Sequence, residues 1–177
     1  MSQQAVADYK SIEADRSILE YALAPYKSGC KYLKSATMEV SGNEGEPGWT
    51  VAARGKFSIP ESFYIEDTGH FNAVEFNICF NQLFYFLVAA CIHRRLLNSL
   101  SHWTIEDFER LQLPNYLIMT LSSRFRKQMQ SNHFEGVLAV KKTMKRKGRI
   151  FIKTTCSFSD GQGENDGEVL IGILDLT

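Results

Sequence analysis

The chain has 177 residues, 44% hydrophobic and 23% charged, with a formal net charge of zero. That is enough for one domain with a substantial core and too little for two comfortable ones. Balanced charge leaves no global attraction to nucleic acid. The cysteines, Cys30, Cys79, Cys91 and Cys156, are spaced too widely for a zinc site or a dense disulfide framework. A reducing, cytoplasmic setting is expected. Residues 1–15 carry early acids and no apolar h-region, which argues against a signal peptide.

Residues 12–24 carry apolar side chains at Ile12, Ile18, Leu19, Ala22 and Leu23, which predicts a short amphipathic helix stopped by Pro25. Residues 1–24 are thus expected as a helical extension of a single domain spanning 1–177. Residues 31–40 and 49–59 read as strands, joined into a hairpin by the Gly-rich loop 41–48. Residues 61–66 connect this hairpin to the next element and carry Phe63 and Tyr64.

Residues 67–91 are mostly apolar, and no Pro or Gly interrupts them after Gly69. They predict a helix buried nearly all round, with Asp67 and Thr68 as suitable N-cap residues. Its polar members form stripes: Asn72, Glu75, Cys79 and Gln82 on one side, His70, Asn77 and Asn81 on the other. Buried polar groups of this kind need a partner or a use, because desolvating them is costly. The pattern runs to about Leu97 or Leu100, and His93-Arg94-Arg95 suits the negative end of the helix dipole. The longest apolar run, 83–92, is too short to span a membrane.

Thr104, with Asp107 three places on, opens a short helix that Pro114 closes. The remainder reads as strands at 116–126, 134–144, 149–158 and 168–176, with a tight turn at 145–148 and a Gly- and acid-rich turn at 159–167. Half of the Lys and Arg residues lie between Arg124 and Lys153, where Glu135 is the only acid. The segment offers an attraction to an acidic partner, or simply solvated strand ends; it lacks the aromatic interleaving of a nucleic-acid surface. One long buried helix with an antiparallel sheet is α+β, and only a sheet that wraps the helix hides its whole circumference.

That order is also the hot-dog fold. The run Ser62-Phe63-Tyr64-Ile65-Glu66-Asp67-Thr68-Gly69-His70-Phe71-Asn72-Ala73-Val74-Glu75, then Cys79-Phe80-Asn81-Gln82-Leu83, closely resembles the FcoT-like family of hot-dog proteins. So do Pro25-Tyr26, Cys30-Lys31-Tyr32-Leu33 and Ser122-Ser123-Arg124-Phe125-Arg126-Lys127. The resemblance implies action on fatty acyl groups held as thioesters on acyl carrier protein or coenzyme A. Some members were described as acyl thioesterases. Relatives in isonitrile lipid and β-amino acid pathways add glycine to a (2E)-enoyl thioester and then release the 3-(carboxymethylamino) fatty acid. The resemblance further implies no metal or organic cofactor, no membrane or nucleic-acid partner, and a homodimer or higher oligomer with the acyl tunnel at the subunit boundary. The chain diverges from the family after Leu83, at Phe84, Phe86 and Leu87, so acyl chain length does not carry over. The basic stretch 141–149 is also outside the shared motif.

A thioester needs its carbonyl polarised. Gly69, His70 and Phe71, read as the helix N-terminus, are expected to supply an oxyanion hole. His70 and Glu75 are the candidate general bases. Their alternatives are a neutral His capping a carbonyl and a buried acid paired with Arg124 or Arg126. They lie on different sides of the helix and so would meet across a dimer. Asn72, Asn81 and Gln82 either hold a water or the thioester oxygen, or pin the sheet. Tyr64 is the preferred polar contact; Tyr26 and Tyr32 line the pocket or pack as ordinary aromatics. Beside Ser123, Arg124 and Arg126 share one strand face and suit glycine's carboxylate, a phosphopantetheine contact or a structural ion pair. No Ser-His-Asp order or nucleophile elbow is present, and Cys79 lacks an activating base. Plain acyl-thioester hydrolysis, or a non-catalytic acyl-thioester shelter, are the alternatives to glycine addition.

Overall fold

The computed structural model describes residues 10–13, 16–46, 48–66 and 69–174. In chain order the elements are β1 (Lys10–Glu13), α1 (Arg16–Leu23), β2 (Leu33–Ser41), β3 (Thr50–Phe57), α2 (Ala73–Arg94), α3 (Ile105–Leu111), β4 (Tyr116–Lys127), β5 (Phe134–Arg146), β6 (Arg149–Ser159) and β7 (Glu164–Leu174). The strands form one antiparallel sheet in the order β1-β2-β3-β5-β6-β7-β4. Its inner face wraps α2, giving the expected α+β hot-dog architecture.

The sequence explains why α2 sits inside. Fifteen of its 22 residues are buried, including Phe76, Phe80, Leu83, Phe84, Phe86 and Leu87. Each such side chain contributes roughly 2 kcal/mol when taken from water, and they point in every radial direction. By length and composition alone α2 would suit a bilayer, yet 72% of its most apolar window is buried within the protein. The strands answer with alternating burial: β6 and β7 place Ile150, Ile152, Val169, Ile171 and Ile173 inward.

Bulky rings need space on that inner face, and glycines provide it. Gly55 and Gly136 are register partners across β3 and β5. A Cβ at Gly136 would lie 2.6 Å from the Phe158 ring and 2.9 Å from that of Phe57. Phe57, Phe71, Phe76, Phe134 and Phe158 thereby pack into one aromatic floor, with ring centroids 4.9 Å apart for Phe71–Phe134 and 5.2 Å for Phe76–Phe158.

Three elements differ from the sequence expectation. Ile12 lies in β1, which pairs with β2, rather than in a helix; α1 begins only at Arg16. The central helix begins at Ala73, capped by Asn72. Asp67 and Thr68, the expected caps, lie outside the described residues. Strand β7 begins at Glu164, so Asn165, Asp166 and Gly167 are strand residues instead of a turn. The short helix at Thr104 forms as expected, with a reciprocal Thr104–Asp107 capping box.

Gln82 ties the helix to the sheet. Its Oε1 accepts the amides of Tyr32 at 3.0 Å and Leu33 at 2.9 Å, and its Nε2 donates to the Cys30 carbonyl at 2.6 Å. It is fully buried, so these bonds replace water at the entry to β2.

Two substitutions test these contacts. Gly136→Ala should destabilise the protein by about 2 kcal/mol through overpacking, read as a lower thermal midpoint. Gln82→Leu removes three buried hydrogen bonds, leaving the Tyr32 amide and Cys30 carbonyl only their mutual bond, and should cost about 2 kcal/mol. An unchanged denaturant midpoint would remove Gln82 from the fold's support.

Candidate functional site

The N-terminal end of α2 is where polar groups meet the surface. A helix leaves its first amides without intrahelical partners. Here Asn72 Oδ1 accepts from Val74 N–H at 2.9 Å and Glu75 N–H at 3.3 Å, while Glu75 Oε2 accepts from Asn72 N–H at 3.1 Å. The box satisfies three amides. The amide of Ala73 is left with no hydrogen-bond partner among the described residues, and Ala73 is exposed. Tyr64 donates its hydroxyl to the same Asn72 Oδ1 at 2.8 Å. With Oδ1 engaged by three donors, Asn72 has its Nδ2 to offer outward.

A cavity of about 440 Å³ opens at this point. His70, Phe71, Asn72 and Ala73 form one wall; Phe125, Lys127, Gln128 and Asn165 form the other. Phe125 lies against Phe76 of α2, ring centroids 6.0 Å apart, so the wall from β4 is apolar. Phe71 is held down by its own amide, which donates to the Met129 carbonyl at 3.0 Å. A mostly apolar cleft with a few convergent polar groups is the usual form of a small-molecule site. A larger groove of about 660 Å³ is lined by Arg54, Lys56, Glu135 and Ser157 among others and shares no lining residue with this cavity.

The structure brings Tyr64, His70, Asn72 and Phe71 to this mouth. Gly69, at φ 73°, turns the chain just before it. These residues precede the helix, however, and the Phe71 amide is engaged by Met129. Among the described residues no hydrogen bond engages the Ala73 amide or the Asn72 Nδ2, so both are donors at this mouth, beside the Gly69–Phe71 turn. Glu75 is buried behind them as the reciprocal cap of Asn72. His70 is exposed.

Other expected site residues lie elsewhere. Gln82 is engaged in the fold. Asn81 donates to Asn77 at 3.3 Å along the helix. Tyr26 packs on Tyr85, centroids 6.4 Å apart, and burial raises its phenol pKa. Tyr32 is 1% exposed, and burial, then the neighbouring Cys30, pushes its phenol up to about 12. It thus stays protonated. Its hydroxyl has no hydrogen-bond partner; the Phe63 amide lies toward it, outside bonding geometry. Arg126 pairs with Asp166 and Glu164 on the outer face of the sheet, opposite Phe125. Arg124 shares a separate cleft with Asp166 and Glu168, and Ser123 is its half-buried neighbour on β4. Within one subunit neither Arg lines the mouth; Lys127 is the cation that does. Burial holds the Cys79 thiol well above its ordinary range, with Glu75 adding to the effect, so it stays an unreactive thiol. Among the described residues no group of His, Cys, Asp and Glu is arranged to hold a metal ion.

Sequence reasoning missed Lys127 and Asn165. Asn165 was hidden by composition, inside a Gly- and acid-rich stretch. Extending the alternation Ile173, Ile171, Val169 two steps back along β7 reaches Gly167 and Asn165, both inward.

Comparison with known proteins adds an independent line. The chain is 38% identical over 168 residues to a (2E)-enoyl-ACP glycyltransferase of Streptomyces coeruleorubidus, covering 92% of this chain and 98% of that protein. It is 34% identical over 179 residues to a protein of the same name from Mycobacterium tuberculosis, covering 98% and 94%. A thioesterase from Haemophilus influenzae overlays with a TM-score of 0.47 at 6% identity, covering 93% of this chain and 95% of that one. Residues 21–173 match the FcoT-like thioesterase domain. With nearly the whole chain matched in this way, the protein belongs to the FcoT-like thioesterase family.

Proposed function

We propose that this enzyme adds glycine to a (2E)-enoyl thioester carried on acyl carrier protein or coenzyme A, and then hydrolyses the thioester. The observation that carries the reading is the 38% identity, over 92% of the chain, to a protein named for that glycyl transfer. The polar mouth of α2 supports it.

The amine of glycine, relieved of one proton, bonds to C3 of the enoyl chain. The C2=C3 pair shifts toward the carbonyl, charge gathers on its oxygen, and a proton delivered to C2 restores the thioester. Water then adds to C1, and the C–S bond breaks to free the thiol carrier and the 3-(carboxymethylamino) fatty acid. Both steps load negative charge onto the same oxygen. The Ala73 amide and Asn72 Nδ2, at the positive end of the α2 dipole, suit that oxygen. A single preorganised donor of this kind lowers a barrier by about 3 kcal/mol. His70, exposed at the mouth, is the base that relieves glycine of its proton. Lys127 at the rim suits glycine's carboxylate.

The subunit does not work alone on this reading. β4 is the sheet's edge strand and exposes Leu117, Ile118, Met119, Leu121 and Phe125. A long apolar edge left in water invites strand pairing, and a second copy of this chain is the closed, symmetric occupant.

Incubation with a (2E)-enoyl thioester and glycine should release an acid heavier by one glycine than simple hydrolysis would give. A saturated thioester should give none of the adduct. Release from both substrates at equal rates, with glycine absent from the product, would reduce the activity to plain hydrolysis. His70→Ala should lower adduct formation at least tenfold while the thermal midpoint holds, since His70 is exposed. Light scattering should give a mass at least twice the 20.1 kDa of one chain, falling toward it in a Met119→Lys, Leu121→Lys double variant.

A further inference from the structure

Asn165 stands out among the buried side chains. It is 1% exposed, and neither its Nδ2 nor its Oδ1 has a hydrogen-bond partner. It occupies an inward position of β7, between Phe125 of β4 and Phe158 of β6 in register. The same face continues with Val169, Ile171 and Ile173, so the pattern of the strand calls for an apolar residue there. A bare amide at a core position is destabilising in the free protein, and nothing in the packing uses it. It does, however, line the cavity at the N-terminus of α2, across from Asn72 and Ala73.

We infer that Asn165 is a catalytic residue: its Nδ2 donates to the thioester carbonyl oxygen, opposite the donors at the tip of the helix. The inference rests on the proposed reaction and adds a residue from the sheet to a site otherwise built on α2. A neutral amide fits this role better than a hold on glycine. Glycine's carboxylate would enter the apolar recess as a desolvated charge, whereas the exposed Lys127 of the same cavity meets it while still hydrated. The carbonyl enters neutral and acquires charge only as the reaction proceeds, which is when a fixed donor acts most strongly. The unpaired state without substrate follows, because the partner arrives with the acyl chain.

Asn165→Leu keeps the branched outline of the side chain and removes both polar atoms. If Asn165 serves the substrate, the variant should unfold at the same temperature as wild type or higher. Its kcat on the (2E)-enoyl thioester with glycine should fall at least 30-fold, with KM for thioester and glycine each changing less than threefold. A kcat within twofold of wild type would overturn the role. A 30-fold rise confined to the KM for glycine would overturn the assignment to the carbonyl. Should the Leu variant not fold, Asn165→Ala carries the same readouts. If wild type only hydrolyses thioesters, the glycine reading fails while the kcat ratio for hydrolysis still tests Asn165, since that oxygen bears charge in both reactions. Wild-type protein inert toward every thioester would overturn both.

Discussion

Burial of α2 over most of its circumference is the constraint from which the rest follows. Its apolar side chains radiate in all directions, and 15 of its 22 residues are out of contact with water. No flat sheet covers such a surface, so the sheet must curl, and the curl needs small residues where rings meet strands. Gly55 and Gly136 meet that need at the aromatic floor. Apart from a half-buried stripe at Asn77, Ile78 and Asn81, such a cylinder meets solvent at its ends. One end carries the Arg95 cap, whose guanidinium binds the Ser101 and Trp103 carbonyls. The other end carries amides, and it lies beside the cavity.

Polar groups within the sheath divide into two kinds, and the hydrogen bonds tell them apart. Gln82 makes three bonds to the backbone around Cys30 and Leu33, so its polarity serves the fold. Glu75 is turned back onto Asn72, which fixes the orientation of the Asn72 amide. Asn165 and the exposed Ala73 amide have no hydrogen-bond partner among the described residues, and both line the cavity at the N-terminal end of α2. Natural cores avoid a bare amide such as that of Asn165, and its place beside the cavity is what the proposed role accounts for.

Much of this was legible in the sequence, and the exceptions have physical causes. The wrapped-helix architecture follows from the apolar run of α2 set between alternating strands. The Thr104 cap was readable because the residues of a capping box bond each other locally. The start of α2 was misplaced by several residues because Asp67, Thr68 and Asn72 are all competent caps, and only the reciprocal bond from Glu75 selects among them. Gln82 was ambiguous because an amide gives no sign in sequence of which partner it will meet; its bonds reach 49 to 52 residues away. Arg124 and Arg126 were correctly placed on one strand face, yet the side that faces the ligand depends on how β4 wraps α2. That is a tertiary fact. Asn165 was obscured because Asn, Asp and Gly near a chain reversal read as a turn, while here they continue a strand.

On the proposed reaction, the polar mouth also bears on how one site would serve two steps. Conjugate addition and hydrolysis differ in the carbon attacked, C3 in one and C1 in the other, yet both move charge to the same carbonyl oxygen. Donors fixed around that oxygen need not be rearranged between steps. Only the nucleophile changes, and it approaches from the cavity, where glycine or water is free to enter. Neutral donors are the fitting choice for such a site. A cation there would bind glycine's carboxylate in the oxygen's place, whereas amides from a helix tip and an asparagine gain most as the oxygen becomes charged. On this reasoning the instability tolerated at Asn165 in the free protein and the reuse of one oxyanion site in two successive steps have a single origin.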